Sequence, residues 1–262
     1  MSILDYTRRD FLKGIGLGAA ALAVPRGLFA GEPCTRAVQG EASEDKPNII
    51  LILADDIGYG DLSCYGNKVV ATPNIDALAK GGMRFTDFHS NSPVCSPTRA
   101  ALLTGRYQQR CDVASLKGFA SKGPRKKGLA QKEVTFAEVL KTVGYTTAMF
   151  GKWHLGYQPK FNPTKQGFDV FRGYVGGNID YHSHIDLAGE EDWWDGTRKI
   201  TETGYVTDLI TKHAVRFIEE HKDEPFCLYL PHGAVHFPYQ GRNDPPCRGP
   251  NAVYDKLHDR NG

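Results

Sequence analysis

Short apolar stretches alternate along the chain with segments whose apolar positions recur at helical spacing. Ile49 to Leu53 is an unbroken run of β-branched and leucine residues that ends in Asp55-Asp56, and it predicts a strand buried on both faces. "TPNIDALAKGG" predicts a short helix, with Thr72 able to cap it, Pro73 suited to its first turn and Gly81 ending it. "MRFTDFHS" sets out Met83, Phe85 and Phe88 in the manner of a strand. "CSPTRAALLTG" reads as a helix from Cys95, with Pro97 tolerated in the first turn and Gly105 as the stop. In "TFAEVLKTVGY", Phe136, Val139, Leu140 and Val143 recur at helical spacing and Gly144 closes the segment. "TTAMFGKWHLG" predicts a strand entering a loop. Residues 156–203 are rich in Gly, Pro, Asp and aromatics without a period, which predicts a long irregular surface segment. "YVTDLITKHAVRFIEEH" is the longest predicted helix, and "PFCLYL" is a further buried strand leading into "PHGAVHFPY".

This alternation of strands and helices predicts an α/β fold with a largely parallel sheet flanked by helices. Ligands of such open sheets bind beyond the carboxyl ends of the strands. Asp55-Asp56, Lys152 with His154, and His236 each follow a predicted strand, so three strand ends deliver polar groups toward one edge.

Composition narrows the class only a little. The chain has 262 residues, 40 % hydrophobic and 24 % charged, with a formal net charge of +2. These values fit a globular protein with a sizeable core and carry no nucleic-acid footprint. The first thirty residues stand apart. Arg8-Arg9 precede Phe11-Leu12, an apolar small-residue stretch from Ile15 to Val24, and a cleavage site at Leu28-Phe29-Ala30. This reads as a signal for the twin-arginine export machinery, placing the mature protein in the periplasm or outside the cell. The apolar stretch is half the roughly twenty residues of a spanning helix, so no stable membrane anchor is expected. Residues 31–46 read as a polar linker, and 47–262 as the folded part. Six cysteines, scattered along the chain, make neither a disulfide scaffold nor a zinc-ligand spacing.

Several residues invite chemistry, each beside a plainer reading. Asp55 and Asp56 repel one another, and a hard divalent ion would resolve that; they are also ordinary turn residues. Cys95 sits at a helix start, where the helix dipole favours a thiolate or a bound anion, yet free cysteines are often simply buried. Arg99 lies one turn on, over an anion or in a surface ion pair. Lys152 and His154 are two apart and, if still in a strand, point the same way, toward an oxyanion or into solvent. His232 and His236 have a zinc-like spacing, but Pro231, Gly233 and Pro238 argue against the helix a zinc pair requires. Residues 117–132 carry Lys117, Lys122, Arg125, Lys126, Lys127 and Lys132 without an acid, either a solvated loop or a patch for a sulfated polysaccharide.

"LADDIGYGD", "CSPTRAALLTGR", "GKWHLG" and "LYLPHGAVHFP" occur in the order and spacing of a known family. Over roughly residues 47–241 the chain resembles the type I sulfatases, in the branch of arylsulfatase A and N-acetylgalactosamine-6-sulfatase. The Cys-x-Pro-x-Arg motif with its Leu-Thr-Gly-Arg continuation is the specific part; the Asp pair alone would be weak.

The resemblance implies the alkaline-phosphatase-like sandwich and hydrolysis of sulfate esters, of a sulfated carbohydrate or an aryl sulfate. It implies that Cys95 is converted by a formylglycine-generating enzyme to 3-oxoalanine (formylglycine), whose hydrate attacks sulfur and then expels sulfate. It implies calcium at Asp55 and Asp56 beside position 95. By matched position Arg99 steadies the hydrate, Lys152 and His236 bind sulfate, and His154 is the base that triggers release. Sulfatases of this kind also carry an Asp-Asn metal pair, a second active-site lysine and a smaller C-terminal domain later in the chain. None is read here: in the terminal "HDRNG", Arg260 separates Asp259 from Asn261. Residues 47–262 are therefore expected to be an incomplete N-terminal catalytic domain. Two other readings stay open: a phosphate or phosphonate ester hydrolase on the same fold, and a remnant that binds sulfated glycans without turnover.

Overall fold

The structure, a computed structural model, describes residues 46–116 and 125–251. The export segment, all of the linker except Lys46, residues 117–124 of the basic stretch and the terminal "HDRNG" lie outside the described residues.

Six strands form one sheet: β1 (Ile49–Leu53), β2 (Thr146–Lys152), β3 (Val170–Tyr174), β4 (Trp194–Asp195), β5 (Arg198–Lys199) and β6 (Phe226–Pro231), in the order β1-β6-β2-β3-β4-β5. β1, β6, β2 and β3 run parallel, and the short β4 and β5 add antiparallel pairs at one edge. The helices are α1 (Pro73–Gly81), α2 (Cys95–Thr104), α3 (Phe136–Thr142) and α4 (Val206–His221).

Side chains alternate across the sheet, so each inner strand feeds two cores. Met149 and Tyr229 join Leu103, Leu129, Trp153, Phe168 and Phe171 on the face of α2 and α3. Ala148, Phe150, Leu228 and Leu230 join Leu209, Ile210 and Phe217 of α4 on the other. The Thr135 hydroxyl accepts from the Glu138 N–H and the Glu138 carboxylate accepts from the Thr135 N–H, a capping box that starts α3. Among the described residues, no helix is long and apolar enough to cross a membrane.

Three expectations change. β1 is an edge strand whose Leu51 and Leu53 are half-buried against the core while Ile50 and Ile52 remain 47 % and 58 % exposed. α4 packs mainly over β2, β3 and β6. Residues 83–90 form no strand, and Met83, Phe85 and Phe88 are exposed. The backbone there gives its groups to side chains instead: the Phe85 and Phe88 carbonyls accept from the Tyr65 and Tyr59 hydroxyls at 2.7 Å. Finally, residues 156–203 are not wholly irregular. They contain β3, whose Phe171 and Tyr174 are buried between neighbours.

Candidate active site

Because β1, β6 and β2 are adjacent and parallel, their carboxyl ends meet at one edge. Leu53 pairs in register with Pro231, and Lys152 with Tyr174. The chain leaving β1 therefore carries Asp55-Asp56 beside the loop that leaves β6 with His236, while Lys152 ends β2 and His154 follows it. α2 brings its first residue, Cys95, and Arg99 one turn later to the same edge. Its N-cap, Val94, offers no side-chain acceptor to the open N–H groups of the first turn.

At the centre is a buried charge cluster. The Asp55 carboxylate pairs with the Lys152 ammonium, which is fully buried, and lies 3.3 Å from the Arg99 guanidinium. Arg99, 2 % exposed, also donates to the Lys152 carbonyl at 2.9 Å. Burial alone would raise the Asp55 pKa. The charges of Lys152 and Arg99, with the Lys152 hydrogen bond, outweigh it and hold the carboxyl below its ordinary value. Two cations against one carboxylate leave this buried cluster net positive, suited to an oxyanion.

Cys95 Sγ lies 3.1 Å from His154 Nδ1. His154 is buried with a backbone φ of 54°, and Asp56 has a φ of 59°; both are left-handed conformations that strain a residue with a side chain. Gly177 leaves room for the imidazole, since a Cβ there would stand 2.7 Å from His154 Cε1. His236 Nε2 is 3.7 Å from Asp56 Oδ2, and His236 Nδ1 is 2.7 Å from the Phe237 carbonyl oxygen. Burial, then the Lys152 charge, lowers the His236 pKa. A cavity of about 630 Å³ opens beside these groups, lined in part by Asp55, Asp56, His89, Cys95, Thr98 and Arg99.

The structure thus brings Asp55, Asp56, Cys95, Arg99, Lys152, His154 and His236 to one place. His232 stays apart from these contacts, its Nδ1 buried without a hydrogen-bond partner among the described residues. Gly177 and Tyr181, whose hydroxyl donates to the His236 carbonyl at 2.9 Å, escaped the sequence reading. Both lie in the aperiodic segment 156–203, where spacing gives no signal.

Two groups implied by the resemblance can be tested against these residues. Cys95 is half-buried, opens on the cavity and has an imidazole nitrogen within hydrogen-bonding reach. An oxygen-bearing group at its Cβ would find both room and a partner, so formylglycine fits. Calcium requires about six to eight oxygen ligands. The described residues offer the carboxylates of Asp55 and Asp56, and Lys152 and Arg99 already engage one Asp55 oxygen. Among the described residues no group of three or more His, Cys, Asp or Glu is arranged to hold a metal. These residues alone do not make a calcium site.

A parallel sheet with a buried cationic cluster beyond its carboxyl edge, and a cysteine at a helix start beside a buried histidine, marks an α/β fold with a site suited to an oxyanion. The sulfatase family model matches residues 47–259, and the chain belongs to that family. It is 52 % identical over 137 residues to human arylsulfatase A, covering 51 % of this chain and 26 % of that one. It is 38 % identical over 210 residues to mouse N-acetylgalactosamine-6-sulfatase, covering 73 % of this chain and 40 % of that one. The crystal structure of Ps i-CgsB superimposes with a TM-score of 0.69 at 35 % identity, covering 76 % of this chain and 47 % of that one. BT4656, in complex with its substrate D-glucosamine-2-N,6-O-disulfate, superimposes with a TM-score of 0.61 at 32 % identity, covering 75 % of this chain and 36 % of that one. The chain spans less than half the length of each of these relatives. The fold is the alkaline-phosphatase-like sandwich that the sequence implied.

Proposed function

We propose that this chain carries the nucleophile and sulfate-binding part of a sulfatase site acting on sulfate esters of a carbohydrate or an aryl group. The observation that carries this reading is the contact of Cys95 Sγ with His154 Nδ1 beside the Asp55–Lys152–Arg99 cluster. Family membership and the sulfated sugar named as the substrate of BT4656 support it. Formylglycine at position 95, installed by a formylglycine-generating enzyme, would supply an oxygen nucleophile where the thiol now stands.

The chain's own residues have distinct tasks. Arg99 and Lys152 attract the ester's sulfate oxygens, and Asp55 keeps both cations fixed without neutralising the pair. The His154 imidazole holds or takes a proton at its Nδ1, toward the group on position 95. His236 Nε2 faces Asp56 at 3.7 Å and, once it has taken up a proton, can pass it to a departing alcohol oxygen. Calcium at Asp55 and Asp56 remains part of the reading only if further oxygen ligands join them. Export through the twin-arginine machinery, to the periplasm or beyond, completes the proposal.

A second reading is a binder of sulfated glycans without turnover, favoured by the incomplete metal ligand set. Peptide mass analysis across residues 85–106, from a host able to make formylglycine, tests the first. An aldehyde at position 95 with turnover of an aryl sulfate upholds it. An unmodified thiol, together with glycan binding and no turnover, favours the second.

A further inference from the structure

The loop after β6 carries His236 and is held from two sides. Toward the sheet, the Asp55 N–H donates to the Ala234 carbonyl at 3.0 Å, and the Val235 N–H donates to the Asp55 carbonyl at 2.9 Å. Toward the other side stands the segment after β3. Tyr181, 4 % exposed, donates its hydroxyl to the His236 carbonyl at 2.9 Å. Its N–H donates to Gln240 Oε1 at 3.0 Å, and Gln240 Nε2 donates to Asp180 Oδ2 at 3.2 Å. Asp180 is fully buried and also accepts from the N–H groups of His182, Ser183, Cys247 and Arg248. The Tyr181 hydroxyl therefore projects from a turn whose backbone is pinned by the Asp180 carboxylate. A carbonyl oxygen only accepts, so at 2.7 Å from the Phe237 carbonyl His236 Nδ1 must carry the proton. That leaves Nε2 as the nitrogen facing Asp56.

We propose that Tyr181 is a positioning residue for His236: its hydroxyl pins the His236 carbonyl, and so fixes the turn in which Nδ1–H reaches Phe237 and Nε2 faces the sulfate site. The hydroxyl touches the His236 backbone and acts through it. The proposal rests on the sulfatase reading of His236, but its structural content does not.

The test is Tyr181→Phe, which keeps the ring and its stacking on Tyr205 at 5.7 Å while removing the hydroxyl. Imidazole ¹⁵N spectra are recorded at pH about 8.5, where an ordinary histidine of pKa about 6.5 is neutral. The wild type should show His236 as the Nδ1–H tautomer and Tyr181→Phe a mixture, with His184, bonded to the Gly204 carbonyl at 3.0 Å, unchanged in both. A folded Tyr181→Phe protein with the wild-type His236 tautomer overturns the proposal. Should the variant fail to fold, the wild type decides: a slowly exchanging Tyr181 hydroxyl proton upholds the bond, and a rapidly exchanging one overturns it. With an aryl sulfate, kcat and kcat/KM of the variant should fall together, on the order of tenfold. Absence of turnover in both proteins counts against the hydrolase reading alone, and the tautomer ratio decides the role of Tyr181 in either case.

Discussion

Cys95 Sγ and His154 Nδ1, fifty-nine residues apart in sequence, stand 3.1 Å apart. Two independent backbone facts make that contact. Cys95 is the first residue of α2, and His154 turns back toward it through a left-handed φ of 54° just past the end of β2. A residue in that conformation carries a strain of about 1–3 kcal/mol, which the surrounding packing must hold in place.

His154→Asn separates the imidazole from the backbone that presents it. Asparagine tolerates the left-handed region, so the thermal midpoint should stay close to wild type. Turnover of an aryl sulfate by protein carrying the aldehyde should fall by about 10²–10⁴-fold, the range for removing a general acid–base group. Wild-type rates in a folded His154→Asn protein would remove His154 from the proton chemistry.

Gly177→Ala probes the same contact from behind. The new methyl would stand 2.7 Å from His154 Cε1 and 2.8 Å from Nε2, closer than any carbon tolerates. The imidazole must shift off Cys95. The expected result is a changed His154 ¹⁵N signature and a kcat lowered with little effect on KM. A variant with the wild-type signature would show that the ring has slack.

Much of the site was legible because parallel strands leave their mark twice: apolar runs announce them, and polar residues just after each run reach a shared edge. Asp55, Lys152, His154 and His236 were found that way, and Cys95 and Arg99 by helical spacing. β3 was not, because Arg172 and Gly173 break its pattern in "VFRGY", and its burial comes from packing between β2 and β4. The two-sided burial expected of β1 failed for a converse reason. An apolar run records what a strand is able to bury, and coverage depends on where α4 lies. Tyr181 and Gly177 work through a backbone carbonyl and an absent side chain, and neither role has a sequence period.

Acid should loosen the anchoring of residues 194–205 onto α4. Glu202 accepts from Trp193 Nε1 and His213 Nε2, each at 3.0 Å, and pairs with Arg172 and Lys212. Burial opposes its ionisation, but those hydrogen bonds and charges prevail and lower its pKa from 4.5 to about 2. The unfolded chain then takes up the proton first as pH falls, so the stabilisation is complete above pH 4.5 and is lost between there and about 2. Glu202→Gln should lower stability at neutral pH and flatten the dependence across that window, read by urea unfolding at a series of pH values. An unaltered slope would assign the acid lability to other carboxylates.

Asp55→Asn tests whether the central cluster holds the fold as well as an anion. The substitution leaves the ammonium of Lys152 and the guanidinium of Arg99, fully buried and 2 % exposed, without their counter-charge. Breaking a buried pair by removing one partner costs about 3–5 kcal/mol, since the remaining charge stays desolvated. The neighbouring Asp56, whose side chain is 66 % exposed, provides the control: Asp56→Asn should change stability little. Denaturant midpoints of the two variants in the same buffer measure the difference. An added oxyanion such as sulfate should restore part of the loss in Asp55→Asn, because it can take the place of the missing carboxylate between the two cations. Equal midpoints for both variants would mean that Lys152 and Arg99 find other counter-charges, and the cluster would no longer be held together by Asp55.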